Sequence, residues 1–412
     1  MDIFNKLGAL VEERFRAFNF DEARFSEAAL TALRELPPAA HLDYLDLVRW
    51  ALTTPRLPPQ DLNSNFGEPP LSLYIGRRFY IEALFWLEGT TSIHQHAFSG
   101  AFHVLSGSSL HSQYSFTARE RINSRLLVGD IALRGVTLLN KGDSHEIRSG
   151  RSGLVHSLFH LERPSVTIVI RTTNEPDSLP QYRLRRPSFA QASFMRDEKT
   201  ARQLQLLAVL RKLGNPDWVR HAEAMLAEAD FETAFVILDD LHRHLSPDVL
   251  TRLIETVGRR HGAPAQLLPA LFEEDKRQAA LIARREAVTQ GDHRFLLALM
   301  LNLPERQSIL EQVQRRYGGD PVDWVVRCVG EMANLPSPLA DEPSILGLRM
   351  GEVEQVVFRS LLERRSFQEM KARLVDEGFS AEDLDEREAD LRTLFEGYRT
   401  LPLFRTLFQD RA

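Results

Sequence analysis

Two histidines one residue apart, His94 and His96, stand in the stretch TSIHQHAFSGAFHVLSG. On an extended strand, residues i and i+2 leave the same face, so both imidazoles can converge on one point. Neutral imidazole nitrogen suits iron, nickel, copper and zinc. His145 follows in LLNKGDSHEI, where Gly142-Asp143 turns the chain and delivers a histidine into another strand. A third imidazole arriving from a distant strand would complete one face of a metal. The opposite positions then stay open for substrate, water or dioxygen. Seven of the thirteen histidines fall between positions 94 and 160, so histidine is concentrated in one segment. His103 shares strand parity with Ala101; it either points into the interior beside the metal or serves as a core histidine bonded to backbone. His111 and His156 read as surface or strand-packing residues.

The elements that must position these residues follow from hydrophobic period. Phe4, Leu7, Leu10, Val11 and Phe15 repeat at helical spacing, as do Ala28, Leu30, Leu33 and Leu36 before Pro37-Pro38. Residues 53–70, TTPRLPPQDLNSNFGEPP, read as a connecting loop. From residue 71 the texture changes to short β-branched and aromatic runs broken by Gly, Ser, Asn and Asp, the spacing of an all-β sandwich or barrel. After about residue 190 helices take over, with Leu204, Leu207, Leu210 and Leu213 on one stripe. Ser246 before Pro247 and Ser380 before Asp383 read as helix caps. GNPDWVR at 214–220 and GDPVDWVVR at 319–327 echo each other, either as an internal repeat or as convergent helix starts. The expected architecture is therefore α+β: a helical segment over 1–68, a β-barrel metal-binding domain over 69–190 and an all-α domain over 191–412.

Composition bounds the rest. The chain has 412 residues, 43% of them hydrophobic and 26% charged, which is ordinary for a soluble globular protein. A net charge of -6 argues against a surface built for nucleic acid. No apolar run approaches the roughly 20 residues needed to span a bilayer, and the opening MDIFNKLGALVEERF lacks a signal-peptide core. With the single cysteine, Cys328, in a helical pattern and no internal disulfide available, the expected location is cytoplasmic.

The stretch EGTTSIHQHAFSGAFHVLSG resembles the first motif of the cupin superfamily, with Gly89, then His94 and His96, then Gly107; LLNKGDSHEIRS is similar to the second. The resemblance covers roughly residues 71–172, about a quarter of the chain. Where the usual cupin carries a glutamate, this chain has Gly100 or Ala101, which leaves a three-histidine site. Among cupins it looks most like the cysteine dioxygenase (thiol dioxygenase) group. That resemblance implies a cupin β-barrel (jelly roll) and a ferrous ion, Fe(2+), on His94, His96 and His145. It also implies a carboxylate-holding arginine at Arg77 or Arg78, with Arg78 favoured, and a further histidine at His160. The group's cross-linking cysteine is replaced by Ala101, and the tyrosine beyond its distal histidine by Glu162.

The activity so implied is a non-haem iron oxygenase using dioxygen on a small amino-acid-like, acid or thiol substrate. His160 would hydrogen-bond substrate or oxygen, and Glu162 would act as a base, orient His160, or simply carry an exposed charge. Two other classes stay open: a metal-dependent cupin isomerase or hydrolase without oxygen chemistry, and a ligand-sensing cupin whose helices contact a partner. The helical region carries no phosphate-binding glycine loop, CxxC or HExxH. His242 and His244 would be about 200° apart on a helix, poor co-ligands. Arg277, Arg284 and Arg285 lie among acids and read as a solvated face. The helices are expected to offer a surface for a peptide or protein partner, or a lid over the barrel mouth.

Overall fold

The computed structural model describes residues 2–64, 66–88, 90–150, 153–173, 180–192, 197–337 and 343–408. Gly89, the first glycine of the motif, lies outside them. The chain divides into two compact units, Met1–Lys276 and Arg277–Ala412. The fold is α+β: a β region of one five-stranded sheet and a closed barrel, with a short helical segment before it and a large all-α region after it.

Among the described residues, eleven strands build the β region: β1 (Pro70–Ile75), β2 (Phe79–Trp86), β3 (His94–Gln95), β4 (Gly100–Ser106), β5 (Ser109–Arg121), β6 (Leu126–Leu139), β7 (Ser144–Ile147), β8 (Val155–His160), β9 (Ser165–Thr172), β10 (Tyr182–Arg185) and β11 (Phe189–Ala192). One five-stranded sheet runs β1-β2-β9-β4-β7, and β10-β11-β6-β5-β8-β3 close into a barrel. Every strand pair is antiparallel.

The five-stranded sheet is apolar on both faces, and alternation decides which residue goes where. Phe79, Ile81 and Ala83 of β2, Ala101 and Leu105 of β4, and Ile168 and Ile170 of β9 face the N-terminal helices. Those helices are α1 (Asp2–Ala17), α2 (Phe25–Glu35) and α3 (Tyr44–Thr53). Phe4, Leu7, Val11 and Phe15 of α1 and Phe25, Ala28, Ala32 and Leu33 of α2 supply the covering stripe. Each large side chain so buried contributes about 1.5–3 kcal/mol. The residues between, Leu84 and Trp86 of β2, Phe102 and Val104 of β4 and Val169 of β9, turn to the other face and form a second core cluster.

On the far side, α4 (Glu198–Lys212), α5 (Asp217–Glu228), α6 (Phe231–Leu241), α7 (Pro247–His261) and the first turns of α8 (Leu268–Ala287) share a core with Leu126, Val128 and Phe189 of the barrel. Arg185 at the end of β10 reaches Asp239 of α6 at 2.5 Å and also pairs with Asp275 of α8. Ser246 precedes α7, but its side chain makes no cap hydrogen bond; Pro247 in the first turn carries that start instead. Ser380 does cap its helix, accepting from the Asp383 amide at 3.3 Å. Both echoing stretches are helix starts, with Asn215 and Asp320 each accepting an amide two residues on.

In the second unit, α9 (Gly291–Asn302) is buried from His293 to Asn302, as expected of a helix that is apolar on all sides. Arg277, Arg284 and Arg285 are all buried, contrary to a solvated face, and Arg277 donates to the Met300 carbonyl at 2.9 Å. After α10 (Arg306–Tyr317), α11 (Pro321–Met332) carries Cys328 in its core face. Burial pushes that thiol up to about 12, so it is inert at neutral pH. Among the described residues no helix is long and apolar enough to cross a membrane.

Candidate metal centre

The inward-facing side chains of both sheets line a cavity of about 30 Å³. His94, His96 and His156 stand on one wall, Glu82 and Arg171 on another, and Phe66, Trp86, Phe98 and Phe102 supply the aromatic lining. Strand register explains the first group. His94 of β3 is the direct partner of His156 of β8, so the two imidazoles emerge on the same side, and His96 follows two residues along.

One nitrogen from each of these three rings lies within 4.8 Å of the others. The His94 Nδ1 is 2.8 Å from the Ser92 carbonyl and must carry the proton that it donates there. Its Nε2 is then a bare lone pair, buried and without a hydrogen-bond partner among the described residues. The Nε2 atoms of His96 and His156 approach to 2.9 Å. Imidazoles bound at about 2.0–2.1 Å on adjacent octahedral positions bring their nitrogens to about that separation. Burial lowers the pKa of His94 and drives those of His96 and His156 well below the ordinary histidine value, so all three rings are neutral. Neutral, convergent, partly unpartnered imidazoles fit a first-row metal ion, and no carboxylate belongs to the set.

Two more imidazoles extend the cluster. His111 of β5 places Nε2 at 2.9 Å from the His156 Nδ1. His145 of β7 packs edge-on to His111 with ring centres 4.7 Å apart. It faces the interior because its partner on β4 is Phe102, against which it stacks. Its Nε2 lies 2.9 Å from the Gln113 amide and its Nδ1 2.8 Å from the Glu146 carbonyl. The structure therefore groups His94 and His96 with His156, and holds His145 one imidazole away.

The other expected residues are placed as follows. His103 does share the parity of Ala101, but that face meets the N-terminal helices and not the cavity. Its Nε2 accepts from the Ala39 amide at 3.2 Å and its Nδ1 meets the Ser144 hydroxyl at 2.8 Å. Arg77 and Arg78 are exposed in the turn before β2, with the Arg78 guanidinium 4.5 Å from the Phe20 ring centre. The arginine in the cavity is Arg171, 3.6 Å from the Glu82 carboxylate and 3.5 Å above the Phe98 ring centre. Burial raises the Glu82 pKa while Arg171 opposes the rise. Glu162 is exposed and accepts from the Ser108 hydroxyl at 2.8 Å, closing a turn outside the cavity. Gly107, with a φ of +78°, makes the adjoining β4–β5 turn. His160 is buried, stacked on Trp86 at 4.8 Å, with its Nδ1 2.8 Å from the Ser109 hydroxyl. It is not among the residues that line the cavity.

No family model matches the chain. No curated protein matches it either. Solved structures do match, each over about a third of the chain or less. A cupin-2 domain protein from Shewanella frigidimarina is 14% identical, covering 32% of this chain and 95% of its own, with a TM-score of 0.20. A hydroquinone 1,2-dioxygenase from a Sphingomonas species with bound 4-hydroxybenzoate is 14% identical over 27% of this chain and 70% of its own, TM-score 0.21. An oxalate oxidase in complex with glycolate is 14% identical over 29% and 58% respectively, TM-score 0.20.

Proposed function

We propose that the cavity holds one metal ion on His94, His96 and His156, and that the protein is a non-haem iron(II) oxygenase acting on a small anionic substrate, an acid, amino acid or thiol. The observation that supports this most is the set of three neutral, buried imidazoles whose nitrogens converge on the wall of one cavity. Ferrous iron there would supply a site where substrate and dioxygen bind side by side.

The chain's own residues then have separable tasks. His94 is fixed by the Ser92 carbonyl, so its Nε2 is presented without rotation. Arg171 offers the cavity's positive charge to an anionic group of the substrate, with Glu82 as its counter-ion until substrate arrives. Phe66, Trp86 and Phe102 exclude water and bound the substrate's apolar part. Trp86 is itself held by donation from its indole to the Thr167 hydroxyl at 3.1 Å and by the His160 ring stacked behind it.

The test is elemental analysis of untagged protein after anaerobic ferrous loading, alongside His94→Ala, His156→Ala and His145→Ala. Near-stoichiometric iron that is lost in the first two variants, retained in the third, and accompanied by oxygen uptake with an acid or thiol supports the reading. Iron lost in His145→Ala but kept in His156→Ala would return the third ligand to His145. A redox-inert metal with no oxygen uptake would move the protein to the isomerase or hydrolase class, and no metal at all would refute the site.

A further inference from the structure

His156 meets an imidazole nitrogen at each end of its ring: His96 Nε2 lies 2.9 Å from its Nε2, and His111 Nε2 lies 2.9 Å from its Nδ1. A neutral His156 carries one proton, and its place decides what the ring can do. With the proton on Nδ1, it is donated to His111 Nε2, and the His156 Nε2 lone pair faces the other two donors. With the proton on Nε2, the N–H points at His96 and the donor set is closed.

His111 selects between these states. It is fully buried, and its Nδ1 has no hydrogen-bond partner among the described residues. If His111 holds its own proton on Nδ1, its Nε2 is an acceptor and His156 is ready to bind; if on Nε2, it donates to His156 and the site is shut. Metal-bound histidines usually donate their second N–H to a carboxylate, a backbone carbonyl or water. Here the acceptor is a neutral imidazole whose own tautomer must be set at the same time.

Resting on the metal reading above, we infer that His111 is the positioning residue of the centre: it accepts the His156 Nδ1 proton and so holds His156 in its metal-binding tautomer.

The test compares wild type with His111→Leu and His111→Gln, since glutamine can place an amide oxygen near the position of the imidazole Nε2. Binding of cobalt(II) is measured by competition with a chelator, together with the visible cobalt spectrum. His111→Leu is expected to bind cobalt about 10–100-fold more weakly with an altered spectrum, and His111→Gln to recover most of both. Equal affinity and an identical spectrum in wild type and His111→Leu would overturn the assignment while leaving the metal site standing. Wild type that binds no cobalt would instead refute the metal reading itself. If His111→Leu fails to fold, nitrogen-15 NMR of histidine-labelled wild type with zinc decides the matter. A His156 proton on Nδ1 and a His111 proton on Nδ1 support the assignment; a His111 proton on Nε2 overturns it.

Discussion

Replacing Arg171 by methionine removes the positive partner of a buried carboxylate. The pair is 3.6 Å apart, with 16% and 10% of the two side chains exposed. At that separation and an effective dielectric constant of about 20, the attraction is about 4–5 kcal/mol. Part of it offsets the cost of taking both charges out of water, so the loss on breaking the pair is set by the uncompensated carboxylate, about 3–5 kcal/mol. Glu82 then relieves the strain by binding a proton, because burial already raises its pKa and Arg171 alone opposes the rise at this range. The sign follows. A carboxyl whose pKa is higher folded than unfolded binds more protons in the native state, so stability falls as pH rises through the window between the two values. Arg171→Met should therefore cost more at pH 7 than at pH 5, and adding Glu82→Gln should restore most of the loss. The assay is urea unfolding in a background where Trp50, Trp218 and Trp324 are phenylalanine, leaving Trp86 on the cavity wall as the reporter. A double-mutant coupling of about 2 kcal/mol or more is expected. A coupling below about 0.5 kcal/mol, or a cost independent of pH, would show that the two residues do not form a buried pair.

His103 gives a pH dependence of opposite slope. Burial pushes its pKa down to about 4, so between there and the unfolded value near 6.5 the unfolded chain binds more protons and stability falls on acidification. The share is up to about 3 kcal/mol; thermal melts from pH 7 to 4.5 should show a shallower dependence in His103→Gln than in wild type. Gly100→Ala would set a Cβ 2.0 Å from the Ile170 carbonyl oxygen, so urea unfolding should show a loss of about 3 kcal/mol or more, with β4 and β9 forced apart. Arg185→Met leaves Asp239 and Asp275 facing each other without their cation. It should cost about 3–5 kcal/mol, read as hydrogen exchange of α6 and β10 amides.

The alternation of β-branched and aromatic runs was enough to expect a barrel between helical regions, and the H-x-H pair to expect two converging imidazoles. What the linear pattern could not supply was register. His156 lies sixty-two residues beyond His94 in the chain, and only the β3–β8 pairing sets them side by side. The Gly-Asp turn before His145 was a local signal and so was legible; it does bring His145 into the same interior, beside His111. Parity misled at His103 because the sheet is apolar on both faces: a two-residue period says which residues share a face, not which face meets helices and which meets a cavity. A signal for the cavity's charges did exist. Glu82 interrupts the apolar run FYIEALFW and Arg171 follows SVTIVI, and a charge inside a strand otherwise buried on both sides needs a partner within the fold.

The electrostatics of the cavity bear on the substrate more directly than its shape does. His94, His96, His111 and His156 are neutral because burial forbids their charged forms, and Arg171 is balanced by Glu82. The walls therefore carry no net charge from these groups. A divalent ion on His94, His96 and His156 would add two positive charges among buried side chains with no carboxylate among its ligands. That imbalance is costly at low dielectric, and an anionic substrate group reduces it. A second anionic group can exchange with Glu82 at Arg171, releasing a carboxyl whose pKa is already raised and which can take a proton when displaced. A substrate with two acidic groups, one near the imidazoles and one reaching Arg171, satisfies both centres at once. A neutral substrate satisfies neither, so in an oxygen-uptake screen dianionic acids and thiol acids should outperform their amides and esters. Equal rates for an acid and its amide would mean that charge does not select the substrate.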